Sequence, residues 1–168
     1  MTVHFPVNIL FLCTHNSARS LMAEALLNDI GAGRFHAFSA GSSPRAGEQP
    51  HPLTLEVLDS AGIATHGLRS KGWDEFLLPD APRMDLIITV CDNAANETCP
   101  VWPGHPALAH WGLPDPALVA GGHEQRLDAF KQTLHRLHQR LELLLSLPLA
   151  GLDRLLLEGR ARELGAHP

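Results

Sequence analysis

The sequence contains no tyrosine, only 5% aromatic residues and three cysteines among 168 residues. It has no surplus of positive charge: 13 Lys and Arg stand against 18 Asp and Glu, a formal charge of −5. No basic cluster comes out of that balance, which argues against nucleic acid as a partner. Three cysteines, an odd number, argue against a fixed framework of structural disulfides, so each thiol needs its own explanation. No apolar run approaches the roughly 20 residues of a membrane span. The segment Met1–Pro6 has no basic start, and the apolar stretch Ile9–Cys13 is too short for a signal core, so the expectation is a soluble cytoplasmic domain with no membrane partner.

What is present suffices for one folded unit. The chain is 45% apolar with a mean hydropathy of −0.02, and a domain of this size buries roughly 70% of its unfolded surface. Val7–Leu12 is a short apolar run ending in turn-forming residues, as a buried parallel strand requires. Met22, Ala23, Leu26, Leu27 and Ile30 follow helical spacing over Arg19–Ile30, with Gly31 as the stop. Arg34–Ala40 reads as a second strand, and Pro52–Ala61 as a helix behind a loop rich in Pro, Gly and Ser. Asp85–Val90 is a third strand rich in β-branched residues, and Leu108–Trp111 a short fourth. The longest helix is His123–Leu145, whose leucines and Phe130 recur at intervals of three and four. Leu152–Leu164 suggests one more helix. Alternation of strands and helices predicts an α/β fold, a mostly parallel sheet covered on both faces, with chemistry at the carboxyl ends of its strands. A single catalytic domain over residues 1–147 and a helical tail over 148–168 follow.

Directly after the first strand comes Cys13-Thr14-His15-Asn16-Ser17-Ala18-Arg19-Ser20. Five residues between Cys and Arg let the backbone curl so that its N–H groups converge beside the start of a helix, a setting for a tetrahedral oxyanion. Arg19 adds a planar fork for two oxygens. The same donors are expected to lower the pKa of Cys13 and make it a nucleophile. Ser17 and Ser20 are placed to donate to the sulfur, and Asn16 to hold the loop at a positive φ. Farther along, Pro114-Asp115-Pro116 forms a stiff turn that can hold a carboxyl over a pocket and donate a proton to a departing oxygen.

The remaining thiols are Cys91, at the end of the third strand, and Cys99, in the loop after it. Three readings fit these residues: two inert buried thiols, a zinc site completed by His105 and His110, or a relay in which Cys91 attacks an intermediate on Cys13 and Cys99 then attacks Cys91.

Taken together, the Cys13–Ser20 loop, Ser39-Ala40-Gly41, the Cys91 and Cys99 pair, and His110–Ala117 resemble the arsenate reductases built on the low-molecular-weight tyrosine phosphatase fold, over about residues 7–145. The resemblance implies a three-layer sandwich around a central four-stranded parallel sheet. It implies attack of Cys13 on arsenate held by the loop and Arg19, with Asp115 assisting loss of the oxygen. A relay through Cys91 and Cys99 would follow, with no bound cofactor and an external thiol as reductant. A thioredoxin-type dithiol is implied first. The gap between Cys91 and Cys99 is slightly longer than in thioredoxin-coupled members, which leaves glutathione with glutaredoxin open. Some members hold potassium near the loop with residues that look like Asn16, Glu24 and Ser39.

The alternative is a low-molecular-weight phosphatase acting on phosphotyrosine or another phosphoester with the same Cys13, Arg19 and Asp115. Phosphotyrosine pockets need aromatic walls, and Ala117 stands where such a wall would follow Asp115-Pro116. Trp111, the nearest other ring, is expected to pack in the core or against the final helix. A non-catalytic sensor binding trivalent arsenic through three thiols would need neither Arg19 nor Asp115. The tail, with its leucine-rich stretch Leu152–Leu157, is expected to cap the domain or to mediate dimerisation.

Overall fold

A computed structural model describes residues 3–91, 100–149 and 152–166. Four strands are formed among these residues: β1 Val7–Cys13, β2 Phe35–Gly41, β3 Leu86–Thr89 and β4 Ala107–His110. All are parallel, in the order β2-β1-β3-β4. Among the described residues four α-helices accompany them: α1 Arg19–Ile30, α2 Pro52–Ser60, α3 His123–Leu145 and α4 Arg154–Ala166.

The period of two along β1 divides the core. Val7, Ile9, Phe11 and Cys13 face one cluster, which collects Met22 and Leu26 of α1, Val57 and Leu58 of α2, Phe130, Leu137 and Leu141 of α3, and Leu157 and Ala161 of α4. Leu10 and Leu12 face a smaller cluster formed with Phe76, Met84, Ile87 and Trp102. The sheet is thus covered on both faces, which accounts for the unbroken apolar runs of its central strands.

Connectivity reverses at β1. The chain passes from β1 to β2 on one side, then crosses to β3 on the other, so the ends of β1 and β3 lie together at a topological switch point. Leu12 pairs with Thr89, and the Val90 N–H donates to the Leu12 carbonyl at 2.8 Å.

Most strand bounds, the end of α2 and both ends of the last helix differ by one or two residues from those read in the sequence, and two of the shifts have a visible cause. The fourth strand begins one residue earlier, because Ala107 N–H donates to the Asp85 carbonyl at 3.0 Å; the ladder nevertheless continues to Trp111, whose N–H donates to Thr89 O at 2.7 Å. The last helix starts at Arg154 rather than Leu152, because the Asp153 carboxylate accepts from the Leu155 N–H at 2.7 Å. An aspartate that satisfies a free N–H of the first turn sets the boundary.

Candidate active site

β1 delivers Cys13 to its carboxyl end, and residues 14–18 curl before α1 begins at Arg19. Asn16 sits at φ 58°, the left-handed conformation that Asn tolerates. Gly41 makes the curl possible: a Cβ there would stand 2.6 Å from the Thr14 carbonyl oxygen and 3.0 Å from the His15 carbonyl carbon. Ser42 and Ser43 N–H groups tie the loop to the end of β2 through the Cys13 and Thr14 carbonyls. The Ser17 carbonyl accepts from the His51 N–H and the Thr54 hydroxyl, anchoring the far side to α2. The His15 ring lies 3.2 Å from the Ser43 carbonyl oxygen. Helix α1, with Ala18 as its N-cap residue, has no side-chain cap and no acidic residue in its first turn, so no capping side chain competes with an anion for the N–H groups there.

Cys13 is 4% exposed. Its sulfur lies 2.8 Å from the Ser20 hydroxyl and accepts from the Asn16 N–H at 3.1 Å. Ser20, not Ser17, is the hydroxyl brought to the sulfur. The expected depression of its pKa is not found. Burial pushes the Cys13 thiol up, the nearby Cys91 sulfur adds to this, and the Ser20 and Asn16 hydrogen bonds oppose it. The loop's donors are outweighed by the loss of water around the sulfur.

Behind the loop lies a buried polar network. Asn16 Nδ2 donates to Ser20 Oγ at 2.8 Å and to Ser39 Oγ at 2.9 Å. Ser39 in turn donates to Glu24 Oε1 at 2.8 Å. Asn16 Oδ1 accepts from the Lys71 N–H at 3.0 Å, and the Lys71 carbonyl accepts from Gly41 N–H at 2.8 Å. Sequence reasoning missed Lys71 and the steric role of Gly41. Lys71 lies 55 residues from Asn16 along the chain, and nothing local marks it.

Arg19 donates from Nη1 to the Leu113 carbonyl at 2.7 Å, and its Nη2 lies 3.7 Å from Asp115 Oδ2. Asp115 keeps its other oxygen on the Ala117 N–H at 2.9 Å, capping the short 3-10 turn Pro116–Leu118. The Pro-Asp-Pro turn sets the Asp115 carboxylate beside the arginine. His51 caps α2 by accepting from the Leu53 N–H; burial, then Arg126, lowers its pKa, and Asp115 opposes them.

Cys91, 3% exposed, follows β3 by two residues, and its sulfur lies 3.5 Å from the Thr14 hydroxyl. Both Cys13 and Cys91 are free thiols. Cys99 lies outside the described residues, as does the segment between it and Cys91. Of the histidines considered as zinc ligands, His110 places Nδ1 2.7 Å from the Thr89 hydroxyl. Trp111 is fully buried, packs on Phe11 at 6.3 Å between ring centroids, and donates from Nε1 to the Ala161 carbonyl at 2.8 Å. It packs in the core against the last helix and gives the site no wall. No described helix is long and apolar enough to cross a membrane.

A buried cysteine at the end of the first parallel strand, an arginine opening the next helix and an aspartate facing that arginine are thus brought together at one end of the sheet. The chain belongs to the low molecular weight phosphotyrosine protein phosphatase family, whose model matches residues 8–155. It is similar to an arsenate reductase of Bacillus subtilis (strain 168), 32% identical over 134 residues that span 80% of this chain and 91% of that protein. Among solved structures it is similar to an arsenate reductase in the phosphate binding state, with a TM-score of 0.66 and 26% identity over 83% of this chain and 97% of the other. It is also similar to a thioredoxin-dependent arsenate reductase of Corynebacterium glutamicum, with a TM-score of 0.54 and 27% identity over 82% and 63% of the two chains.

Proposed function

We propose that this protein is an arsenate reductase that works through its own thiols. The observation that carries the reading is the second buried thiol: Cys91 lies two residues beyond β3, the strand beside β1, and touches the same loop through Thr14. A phosphatase needs only the first sulfur. A phosphotyrosine substrate also lacks support, because Trp111 is buried and the turn after Asp115 presents the aliphatic Leu118.

In this reading, the N–H groups of residues 14–18 and the Arg19 guanidinium hold arsenate in the loop. The Cys13 thiol attacks arsenic. Its proton and one arsenate oxygen leave as water with help from Asp115, giving a Cys13–S–As(V) adduct. The Cys91 thiol then attacks the Cys13 sulfur. The S–As bond breaks, its electron pair stays on arsenic as arsenite is released, and a Cys13–Cys91 disulfide forms while the Cys91 proton passes to arsenite. Attack of Cys99 on the Cys91 sulfur returns Cys13 as a thiol and leaves a Cys91–Cys99 disulfide. An external dithiol of the thioredoxin type reduces that bridge, with glutathione and glutaredoxin as the competing donors. This cycle suits a reducing compartment such as the cytoplasm.

Purified protein with arsenate, a thiol reductant system and arsenite detection tests the reading. Wild type should turn over, Cys13→Ser should not, and Arg19→Ala should fall by about 10²–10³-fold, the usual cost of a lost oxyanion donor. Sustained arsenite release by Cys13→Ser would overturn it.

A further inference from the structure

Lys71 lies in the connection between α2 and β3, and its side chain is 9% exposed. The ammonium donates to the Arg69 carbonyl at 2.9 Å and to Asn16 Oδ1 at 3.4 Å, and it stands 3.7 Å from Glu24 Oε1. A cation taken so far out of water is tolerated only where oxygens replace its hydration, and three do so here. The segment is fixed from outside by the forked pair between Arg69 and Glu75, at 2.9 and 2.5 Å.

Potassium, which the family resemblance implies on Asn16, Glu24 and Ser39, does not fit these residues as they stand. Asn16 Oδ1 and Glu24 Oε1 already face an ammonium group, and the Ser39 hydroxyl is engaged with Asn16 and Glu24. A second cation would meet a like charge across a few ångströms in a partly dry site.

We propose that the Lys71 ammonium is the resident cation of this loop, a positioning residue that acts on Cys13 through Asn16 and frees the protein from any need for potassium. The path runs through one carboxamide. With Oδ1 turned to the Lys71 N–H and ammonium, Asn16 must present Nδ2 to Ser20 and Ser39. Ser20 Oγ then accepts from Asn16, so its own proton is directed at the Cys13 sulfur 2.8 Å away. A reversed carboxamide would claim that proton for itself. The ammonium adds a charged donor that holds the productive orientation.

The inference concerns the loop of the reductase reading and rests on it for one of two readouts. Wild type, Lys71→Ala and Lys71→Met are compared in potassium chloride and in choline chloride at equal ionic strength, by kcat/KM for arsenate and by thermal midpoint. Wild type should be indifferent to potassium in both. Lys71→Ala, which opens the space, should lose about tenfold in choline, the scale of a charged hydrogen bond. It should recover most of that in potassium, with a midpoint raised by a few degrees through ion binding to the folded state. Lys71→Met fills the space without charge and should lose activity without rescue. The thermal readout stands even if arsenate is not the substrate. Potassium stimulation of wild type, full activity of Lys71→Ala in choline, or equal behaviour of Lys71→Ala and Lys71→Met toward potassium would overturn the proposal.

Discussion

A sulfur as buried as that of Cys13 gives up its proton less readily than a free thiol, and its immediate partners set how much less. The Ser20 hydroxyl is the strongest opposing influence, so Ser20→Ala should raise the thiol pKa further. Thiolate-dependent alkylation of Cys13 by iodoacetamide should rise toward alkaline pH with an apparent pKa above the ordinary thiol range. In Ser20→Ala the profile should move to still higher pH. A move of about one pH unit lowers the thiolate fraction, and with it the rate at pH 7, about tenfold. An unchanged profile would show that Ser20 does not donate to the sulfur. The gathering of Cys13, Arg19 and Ser20 in one loop is legible in the sequence because five intervening residues and a helix start constrain them locally. The sulfur's protonation is not legible, because it depends on burial by residues from the whole chain. Lys71 is hidden for the same reason: its oxygens come from a loop, a helix and its own segment.

At the scale of elements, Arg19–Ile30 and His123–Leu145 are found where their apolar spacing and stops placed them. The short strand β4 and the last helix start one or two residues away from their sequence-based bounds, since backbone partners and the Asp153 cap decide them. How α4 sits is not readable from its weak apolar stripe. The structure shows it against the exposed edge of the sheet, where Glu158 accepts from the Leu108 N–H at 3.0 Å and Arg162 donates to the Leu108 carbonyl at 3.1 Å. These side chains occupy backbone groups that an edge strand would otherwise offer to another chain. Two glycines in α4 give opposite expectations. A Cβ on Gly165 would lie 2.1 Å from the His110 carbonyl oxygen, whereas one on Gly159 would meet nothing within 4 Å. Urea unfolding should show Gly165→Ala destabilised by about 1–3 kcal/mol through overpacking. Gly159→Ala should be stabilised by about 0.5–1 kcal/mol through its better helix propensity. Equal effects at both positions would contradict the packing of α4 on β4.

For the molecule as a whole, the sheet order accounts for the chemistry. Because β1 and β3 are neighbours, Cys13 at the end of β1 and Cys91 two residues beyond β3 come to the same edge of the sheet, although they are far apart in sequence. Alternating strands and helices announced a parallel sheet, but no single-residue pattern states which strands adjoin. The central claim is that arsenate is reduced by electrons from the protein's own thiols, and disulfide mapping by mass spectrometry tests it most directly. Fully reduced protein is incubated with one equivalent of arsenate and no external thiol, with phosphate as the control. The account predicts release of arsenite with a Cys91–Cys99 bridge, or Cys13–Cys91 where the relay is caught midway, and neither bridge with phosphate. Three thiols still reduced after arsenate would contradict it.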